Sequence, residues 1–358
     1  MLPFNYEGFA TKDTFFGRKE ELIDINTFAQ KSNNLLIYSL RRFGKSSMIK
    51  EQIERDTDTQ YIYFDIFDIT SENDFARLFL KAIAKAQKGG ISTIMSKLPK
   101  LFSRVSFDVV FDSTTGKTKL SPTLNNISFE DAIEDAFNAL FLMSEKQKLV
   151  VAIDEFQQVS LIENVKIDAL LRKYMQENKK ISYFFLGSKR HMLTDLFRYK
   201  APLYEMATHY ELQGIKLDDY IEYIQKYLKI SDAFIVHIID VAKNETKLIV
   251  HICSILYDRH AKKNITEKII NEIIKEIVMS KHSSYSMLFD SFSLGKKKAF
   301  KILCNHKDLY KKEVLDEYSI SKQSLLSSLN ALFKDEIIDK DKNWFIPDRT
   351  LELWGKSK

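Results

Sequence analysis

The sequence predicts an α/β fold in which a parallel sheet is sandwiched between helices. Short strand-like runs occur at Leu35–Tyr38, Tyr61–Ile69, Lys148–Ile153 and Ile181–Leu186, and stretches with helical spacing separate them. The run Lys148–Ile153 is almost continuously apolar, which is typical of a parallel strand covered on both faces. Strands that alternate with helices favour a sheet with right-handed crossovers.

Length and composition indicate an ordinary globular protein of more than one domain. The 358 residues suit two or three domains. A hydrophobic content of 45% and a charged content of 29% exclude a disordered or fibrous chain. The net charge of +5 permits contact with nucleic acid but does not argue for it, because dedicated binders concentrate basic residues on one face.

The cysteines and the apolar runs indicate a cytoplasmic protein. Cys253 and Cys304 lie in separate apolar helical patterns, so we expect buried free thiols in a reducing compartment. The N-terminal region carries charges and no continuous apolar run, so no signal peptide is expected. Apolar stretches such as Leu248–Tyr257 reach only about half of the ~20 residues that span a bilayer, so no contact with a membrane is expected.

Three parts of different pattern follow one another along the chain. Residues 1–215 form the predicted sheet domain, with an insertion at about 91–128 that is expected to pack against the main sheet. That insertion combines an amphipathic helical stretch, which Pro99 is expected to break, with a hairpin. Residues 216–285 contain only helical patterns and form a predicted helical lid. Residues 286–358 show three helical stretches and a short hairpin, the layout of a winged helix.

A phosphate-binding loop is predicted at Ser39–Ser47, where an apolar strand passes through a Gly-Lys-Ser turn into a helix. Backbone N–H groups of such a turn and of the helix N-terminus converge on a phosphate. Lys45 is predicted to reach the β- and γ-phosphates and Ser46 to ligate Mg²⁺. The consensus begins with glycine, whereas this chain has Ser39. The alternative is a fortuitous Gly-Lys-Ser turn.

Two carboxylates, Asp154 and Glu155, end the strand that begins at Lys148. If this strand is a parallel neighbour of the loop's strand, Asp154 is delivered to the Mg²⁺ side of the site. Glu155 is then placed to orient or deprotonate the attacking water. The alternative is an ordinary strand followed by surface acids. Both motifs in this order predict ATP or ADP with Mg²⁺ as ligands and ATP hydrolysis as the activity.

The fourth predicted strand, Ile181–Leu186, ends in Gly187 and the small polar residue Ser188. If it lies between the other two strands, Ser188 is placed to hydrogen-bond the γ-phosphate or the water. A solvated surface loop is the alternative interpretation.

Five motifs distributed along the chain together resemble those of one protein family. They are Phe16-Gly17-Arg18-Lys19-Glu20-Glu21-Leu22, Arg41-Arg42-Phe43-Gly44-Lys45-Ser46-Ser47, Asp154-Glu155-Phe156-Gln157, Gly187-Ser188 and Ala201-Pro202-Leu203-Tyr204. Together they resemble the archaeal-type ATPase family, which belongs to the STAND branch of AAA+-like P-loop NTPases. The similarity covers nearly the whole chain, including the lid and the winged helix.

The resemblance implies an ATP-binding and ATP-hydrolysing switch. Under it Phe16 and Gly17 lie near the adenine, Gly44–Ser47 hold the phosphates and Mg²⁺, Asp154 and Glu155 are the Walker B pair, and Ser188 is a sensor. The doubled Arg41-Arg42 beside Phe43 has a physical role of its own, because bidentate guanidinium groups can contact a γ-phosphate or a partner carboxylate.

The chain departs from the family pattern at three places. Ser39 replaces the first glycine of the loop. Glu205-Met206 follows the Pro-Leu-Tyr run in place of Gly-Arg, and Asn244-Glu245-Thr246 stands in place of Gly-x-Pro in the lid. The departures concern the rate of hydrolysis and the response of the lid to nucleotide, since they remove an expected arginine and an expected proline.

The C-terminal part leaves the partner open. In the predicted third helix, Ser321–Phe333, a buried stripe is expected from Leu325, Leu326, Leu329, Leu332 and Phe333. Its short polar residues would face a DNA major groove, whereas acidic residues close to the wing would oppose phosphates. Protein interaction or autoinhibition is the alternative role. The hypotheses are therefore an ATP-dependent switch, a DNA-binding regulator with a structural nucleotide site, and a scaffold for a protein partner or for self-association.

Overall fold

The computed structural model describes residues 3–10, 12–87, 91–112, 117–124, 127–188, 190–261 and 264–358. Contacts divide the chain into two compact units. The sheet unit comprises Arg18–Leu40 and Lys45–Gln213. The helical unit comprises the residues up to Gly17, the short segment Arg41–Gly44 and Gly214–Lys358. The predicted phosphate-binding loop therefore contributes residues to both units.

The sheet unit contains a parallel sheet, an antiparallel pair of strands and the helices that cover them. In chain order the elements are α1 (Lys19–Gln30), β1 (Leu35–Tyr38), α2 (Lys45–Arg55), β2 (Thr59–Asp65), α3 (Glu72–Lys85), α4 (Ile91–Leu101), β3 (Ser106–Asp112), β4 (Lys117–Thr123), α5 (Phe129–Ser144), β5 (Lys148–Asp154), α6 (Ile167–Glu177), β6 (Ile181–Gly187), α7 (Arg190–Phe197) and β7 (Thr208–Glu211). The parallel sheet has the order β2–β5–β6–β1–β7, and β3 pairs only with β4.

The strand order confirms one expectation and corrects another. β6 lies between β5 and β1, so the carboxyl ends of all three strands meet at one edge of the sheet. From the sequence alone we expected β5 to be the neighbour of β1. That expectation was wrong, because β6 lies between them. β7 was not predicted, since its mostly exposed residues Thr208–Glu211 lack an apolar pattern.

The buried strands explain why this sheet forms. All residues of β1 and β6 are buried, as are all residues of β5 except Lys148. Aromatic side chains of the flanking helices fill one side, where Phe137 stacks on Tyr174 with ring centroids 3.9 Å apart. Such rings remove a large apolar area from water.

The insertion packs on the core of the sheet unit, as predicted, but Pro99 does not break its helix. α4 continues to Leu101, so Pro99 lies in the last turn. A proline there removes a single backbone donor close to the point where the helix ends, which limits its cost. Leu98 and Phe102 are buried in the same core as the sheet, and Phe102 also contacts Phe107.

The helical unit contains nine α-helices and one short ladder among its described residues. They are α8 (Leu217–Gln225), α9 (Asp232–Ala242), α10 (Thr246–His260), α11 (Glu267–Ser280), α12 (His282–Asp290), α13 (Leu294–Asn305), α14 (Lys312–Glu317), α15 (Lys322–Lys334), β8 (Asp339–Lys340), β9 (Trp344–Phe345) and α16 (Arg349–Lys356). One buried cluster joins α8–α11 with Phe4, and a second joins α12–α16 with the ladder.

The C-terminal segment shows three helices followed by an antiparallel ladder, the order that the sequence predicts. On α15, Leu325, Leu329 and Leu332 are buried, but the expectation for Leu326 was wrong because its side chain is 44% exposed. α16 was not predicted. Its fully buried Trp354 donates its indole N–H to His282 Nδ1 at 3.1 Å, which attaches α16 to α12.

Both cysteines are free and buried, as predicted. Burial raises the pKa of Cys253 and of Cys304 to about 12, so neither thiol is reactive at neutral pH. Among the described residues, no helix has the length and apolar character that crossing a membrane requires.

Candidate functional site

The loop between β1 and α2 has two left-handed residues. Arg42 has φ 68° and Gly44 has φ 90°. An added Cβ at Gly44 would meet no atom within 4 Å, so the backbone conformation and not crowding favours glycine there. Ser39 is not among the residues with positive φ. A serine is therefore accepted at the first position of the loop without backbone strain.

Lys45, the first residue of α2, is buried and bonded within its own loop. Its Nζ donates to Ser39 Oγ at 3.1 Å and to the carbonyl oxygens of Ser39 and Leu40, both at 3.4 Å. The Ser39 hydroxyl in turn donates to the Leu40 carbonyl at 2.9 Å. The departure from glycine at Ser39 thus supplies the ammonium group with an acceptor that glycine lacks.

Asp154 accepts hydrogen bonds from three parts of the sheet unit. Its side chain is 1% exposed, and its Oδ2 accepts hydrogen bonds from Ser46 Oγ at 2.5 Å and Tyr63 OH at 2.7 Å. Its Oδ1 accepts from the backbone N–H of Glu155 at 2.9 Å. The structure therefore brings Ser46 of the loop and Asp154 together across β6.

Tyr63 is a site residue that the sequence analysis missed. It lies on β2, and burial together with the charge of Asp154 raises the pKa of its hydroxyl, which keeps that group protonated as a donor. Lys50 Nζ lies 5.1 Å from the centroid of the Tyr63 ring. A tyrosine in a strand is usually a core residue. The only signal in the sequence was the alternation of side chains along the predicted strand, which places Tyr61 and Tyr63 on the same face of the sheet.

Glu155 is held in a left-handed conformation with φ 54°, and two side chains donate to its Oε2. Ser188 Oγ does so at 3.3 Å, and Gln157 Nε2 also donates. Gly187 leaves room beside them, because an added Cβ would lie 2.2 Å from Gln157 Oε1 and 2.7 Å from Leu193 Cδ1 and would force these side chains to shift. Gln157 belongs to the motif quoted above, yet sequence reasoning gave it no role.

The acidic groups at this edge of the sheet lie close enough to influence one another. Asp65 pairs in register with Asp154, and burial, followed by the charges of Asp154 and Glu155, raises the pKa of Asp65. Carboxylate and hydroxyl oxygens are the ligands that Mg²⁺ prefers. Ser46 and Asp154 therefore form a donor set that fits this ion.

The residues predicted to lie near the adenine belong to the helical unit. Phe16 stacks on Tyr223 with ring centroids 4.1 Å apart and meets the edge of Tyr220. Gly17 has φ 65°, and an added Cβ would lie 2.9 Å from Ile215. Both conformation and crowding therefore require glycine here.

The remaining loop residues are placed as follows. Arg41 lies 4.0 Å from Glu336, and both side chains are about half exposed, so this ion pair contributes little to stability. Phe43 and Ser47 are partly buried.

Arg42 forms an ion-pair cluster with Glu245 and Asp348, called here the Arg42 cluster. Its guanidinium group lies 3.0 Å from Asp348 Oδ2 and 3.4 Å from Glu245 Oε1. The backbone N–H of Lys247 donates to the Arg42 carbonyl at 3.3 Å, which helps to hold the left-handed backbone. Asp348 also caps α16 by accepting from Leu351 N at 3.1 Å.

The pKa values of the two carboxylates of the Arg42 cluster are shifted in opposite directions. Burial would raise the pKa of Asp348, but the charge and hydrogen bond of Arg42 outweigh it and lower that pKa to about 2. Burial raises the pKa of Glu245 in spite of Arg42. Asp348 is therefore the principal partner of the guanidinium group, in agreement with the shorter distance.

The parallel sheet, the loop between β1 and α2 and the acid pair at the end of β5 define the class of P-loop NTPases. Residues 15–233 match the model of the family described as an ATPase domain predominantly from Archaea. The chain belongs to this family of nucleotide-binding ATPases. No curated protein has a significantly similar sequence.

Solved structures with the same fold cover almost the whole chain. A Walker-type ATPase of Pyrococcus abyssi has a TM-score of 0.66 at 15% identity and covers 99% of this chain and 100% of its own. The ORC2 protein of Aeropyrum pernix in its ADPNP–ADP complexes has a TM-score of 0.50 at 11% identity, with coverage of 100% and 98%. The ORC1 protein of Aeropyrum pernix in complex with DNA has a TM-score of 0.50 at 12% identity, with coverage of 97% and 94%.

Replacing Tyr63 by phenylalanine is expected to weaken the apparent affinity for Mg²⁺ in the presence of ADP by about fivefold. The reason is that a hydrogen bond worth about 1 kcal/mol no longer holds the Asp154 carboxylate. Titration of Mg²⁺ by calorimetry measures the change. Tyr61→Phe is the matched control, because Tyr61 lies on the same strand as Tyr63 and its hydroxyl donates to Asp56 Oδ2 at 3.1 Å. Equal losses of affinity in both variants would contradict the role of Tyr63.

Replacing Ser39 by alanine is expected to tighten ATP and ADP binding by about fivefold. The ammonium group of Lys45 would lose an acceptor worth about 1 kcal/mol and would be more available to phosphates. Ser39→Gly tests the same point with the family's residue. Nucleotide affinity is measured by fluorescence anisotropy. An affinity of Ser39→Ala that is equal to or weaker than that of the unchanged protein would refute this explanation.

Proposed function

We propose that this protein is an ATP-hydrolysing molecular switch whose nucleotide state is coupled to a C-terminal winged helix. The observation that carries the proposal is the 2.5 Å contact between Ser46 Oγ and Asp154 Oδ2. It joins the predicted phosphate-binding loop to the predicted acid pair, and this pairing of motifs is what nucleotide hydrolysis requires.

In this proposal the start of α2 binds the phosphates. Backbone N–H groups at the helix N-terminus and the Lys45 ammonium group neutralise the β- and γ-phosphates. Ser46 and Asp154 would hold Mg²⁺, which when bound supplies positive charge that stabilises the leaving phosphate oxygens.

Glu155 supplies the base for hydrolysis. It accepts a proton from the water whose oxygen attacks the γ-phosphorus, while the bond to the bridging oxygen of ADP breaks and phosphate leaves. Gln157 and Ser188 orient the Glu155 carboxylate, since both donate to its Oε2. Ser188 acts as a sensor when it leaves Glu155 and donates to the γ-phosphate instead.

The Arg42 cluster provides the coupling. Arg42 lies in the loop segment immediately before Phe43 and Gly44, and a γ-phosphate competes with Asp348 and Glu245 for its guanidinium group. When ATP attracts Arg42, the N-terminal end of α16 loses its ion pair and the C-terminal segment is released. Hydrolysis restores the pair, which makes the cluster a two-state element biased by the γ-phosphate.

DNA binding by the C-terminal segment is the second candidate function. The residues Ser321, Lys322, Gln323 and Ser324 at the start of α15 are exposed, as a helix that enters a major groove requires. The similar ORC1 structure was solved in complex with DNA. Lys296, however, is paired with Asp335 at 2.5 Å, which reduces the positive charge next to α15. Salt-sensitive duplex binding that is lost on deletion of residues 291–358 would favour this role.

Lys45→Ala and Glu155→Gln are expected to separate binding from turnover. Lys45→Ala should abolish ATP binding at the loop and phosphate release, whereas Glu155→Gln should bind ATP there and release phosphate at least about a hundredfold more slowly, because the base is lost. Steady-state phosphate release and nucleotide binding are measured on the same preparations. Glu163→Gln, at an exposed acid, is the matched control. Turnover by Glu155→Gln close to that of the control would refute the catalytic assignment.

Asp348→Asn is expected to lower the free energy of unfolding at pH 7 by about 2 kcal/mol, since a pKa lowered to about 2 stabilises the folded state by this order. This stabilisation is fully present above about pH 4 and is lost as the pH falls towards 2. Urea unfolding at both ends of this range measures it.

The same variant should bind ATP more tightly relative to ADP, because Arg42 is freed. Asp195→Asn, which breaks an exposed pair with Arg198, is the control for both measurements. An unchanged ratio of ATP to ADP affinity in Asp348→Asn would exclude the Arg42 cluster as the coupling element.

A further inference from the structure

A large cavity lies in the helical unit, in its C-terminal segment. It is lined by residues 303–311 and 342–346 and by Lys243, Lys340, Glu352 and Lys356, and its volume is about 1090 Å³. We call it the lysine cavity. Its size matches the upper end of the range of small-molecule sites, ~300–1,000 Å³. None of the residues assigned to ATP binding or hydrolysis lines it.

The lysine cavity has an excess of positive charge. Six lysines line it, Lys243, Lys307, Lys311, Lys340, Lys342 and Lys356, against the two carboxylates Asp308 and Glu352. Glu352 is shared by Lys243 at 2.8 Å and Lys356 at 3.9 Å, and Asp308 pairs with Lys311 at 2.9 Å. Within the described part of the chain, Lys307, Lys340 and Lys342 have no ion pair. The cavity therefore favours an anionic ligand.

Aromatic side chains line the same cavity. Trp344 is partly buried, and Tyr310 is 38% exposed. The ammonium group of Lys340 lies 4.8 Å from the centroid of the Trp344 ring. An indole ring beside a lysine offers a stacking surface next to a phosphate-binding cation, which is how proteins bind nucleotide units without reading their sequence.

The acidic residues of the ladder do not cancel this charge. Asp339 and Lys340 form β8, and in a strand successive side chains point to opposite faces. Asp341 and Lys342 lie in the turn between β8 and β9. In agreement, Lys340 and Lys342 line the cavity whereas the two aspartates do not. β8 and the turn after it thus place two lysines, but neither aspartate, on the lining of the cavity.

We propose that the lysine cavity is a second nucleotide-binding site, in which lysines hold the phosphate groups and Trp344 contacts the base. Its ligand carries a base and at least one phosphate, and is either a free nucleotide or a nucleotide within a single strand. The proposal is independent of the proposed ATPase function, because it involves other residues and does not require turnover.

The test uses the full chain with Lys45→Ala, so that binding at the loop does not contribute. The sequence contains two tryptophans, and Trp354 is fully buried, so ligand-dependent quenching of fluorescence reports Trp344. ATP and a short single-stranded oligothymidylate are titrated separately, and anisotropy of the labelled oligonucleotide is measured in parallel. Quenching by ATP identifies a free nucleotide as ligand. Quenching and anisotropy changes with the oligonucleotide alone identify a strand.

Adding Lys307→Glu and Lys342→Glu is expected to weaken binding by at least about tenfold. For a strand, it should flatten the slope of log Kd against log salt by about 1.4, since each lost phosphate contact removes ~0.7. Lys268→Glu with Lys275→Glu, two exposed positions on α11, is the control of equal charge change. Equal weakening in the control would overturn the proposal, as would the absence of both quenching and anisotropy changes. Tripolyphosphate that binds as tightly as ATP would overturn the nucleotide assignment.

Discussion

The buried carboxylate of Asp154 is the constraint on which the sheet unit depends. A carboxylate that is removed from water must have hydrogen-bond donors or a cation, because its desolvation is otherwise too costly. Asp154 obtains donors from three places, the Ser46 hydroxyl, the Tyr63 hydroxyl and the backbone N–H of Glu155. The same contacts set the distance between the start of α2 and the end of β5. One electrostatic requirement thus positions the parts of the candidate site.

A second charge, the partly buried guanidinium group of Arg42, organises the helical unit in a comparable way. The backbone of Arg42 is in the left-handed region. The residue is held in this conformation by Asp348, Glu245 and the N–H of Lys247. Its ion pairs connect a loop segment to the residues that immediately precede α10 and α16. Since a guanidinium group binds phosphate and carboxylate with similar geometry, one side chain has two competing partners. That competition is the physical basis of the proposed switch.

The departures from the family pattern have local physical explanations. Ser39 accepts a hydrogen bond from Lys45 and lies outside the positive-φ region, so it is compatible with the loop. Glu245, in the segment that replaces Gly-x-Pro, is a member of the Arg42 cluster. Asn244 has φ 60° and donates to the Ile215 carbonyl at 3.3 Å, so polar contacts stabilise this turn where the family has a glycine.

The sequence by itself determined the local features of this protein. The apolar run of β5, the turn at Gly44 and the order of the two motifs follow from the residues near each position, because strand burial and turn conformation depend on local side chains. The same local rules failed for β7, which is short and mostly exposed, and for α16, which has only eight residues and buries the polar residues Thr350 and Glu352. The tertiary structure decided the position of β6 between β5 and β1, the bond from Tyr63 to Asp154 and the ion pair between Arg42 and Asp348. These contacts join residues far apart in the chain, and only the folded arrangement of strands and helices brings such residues together.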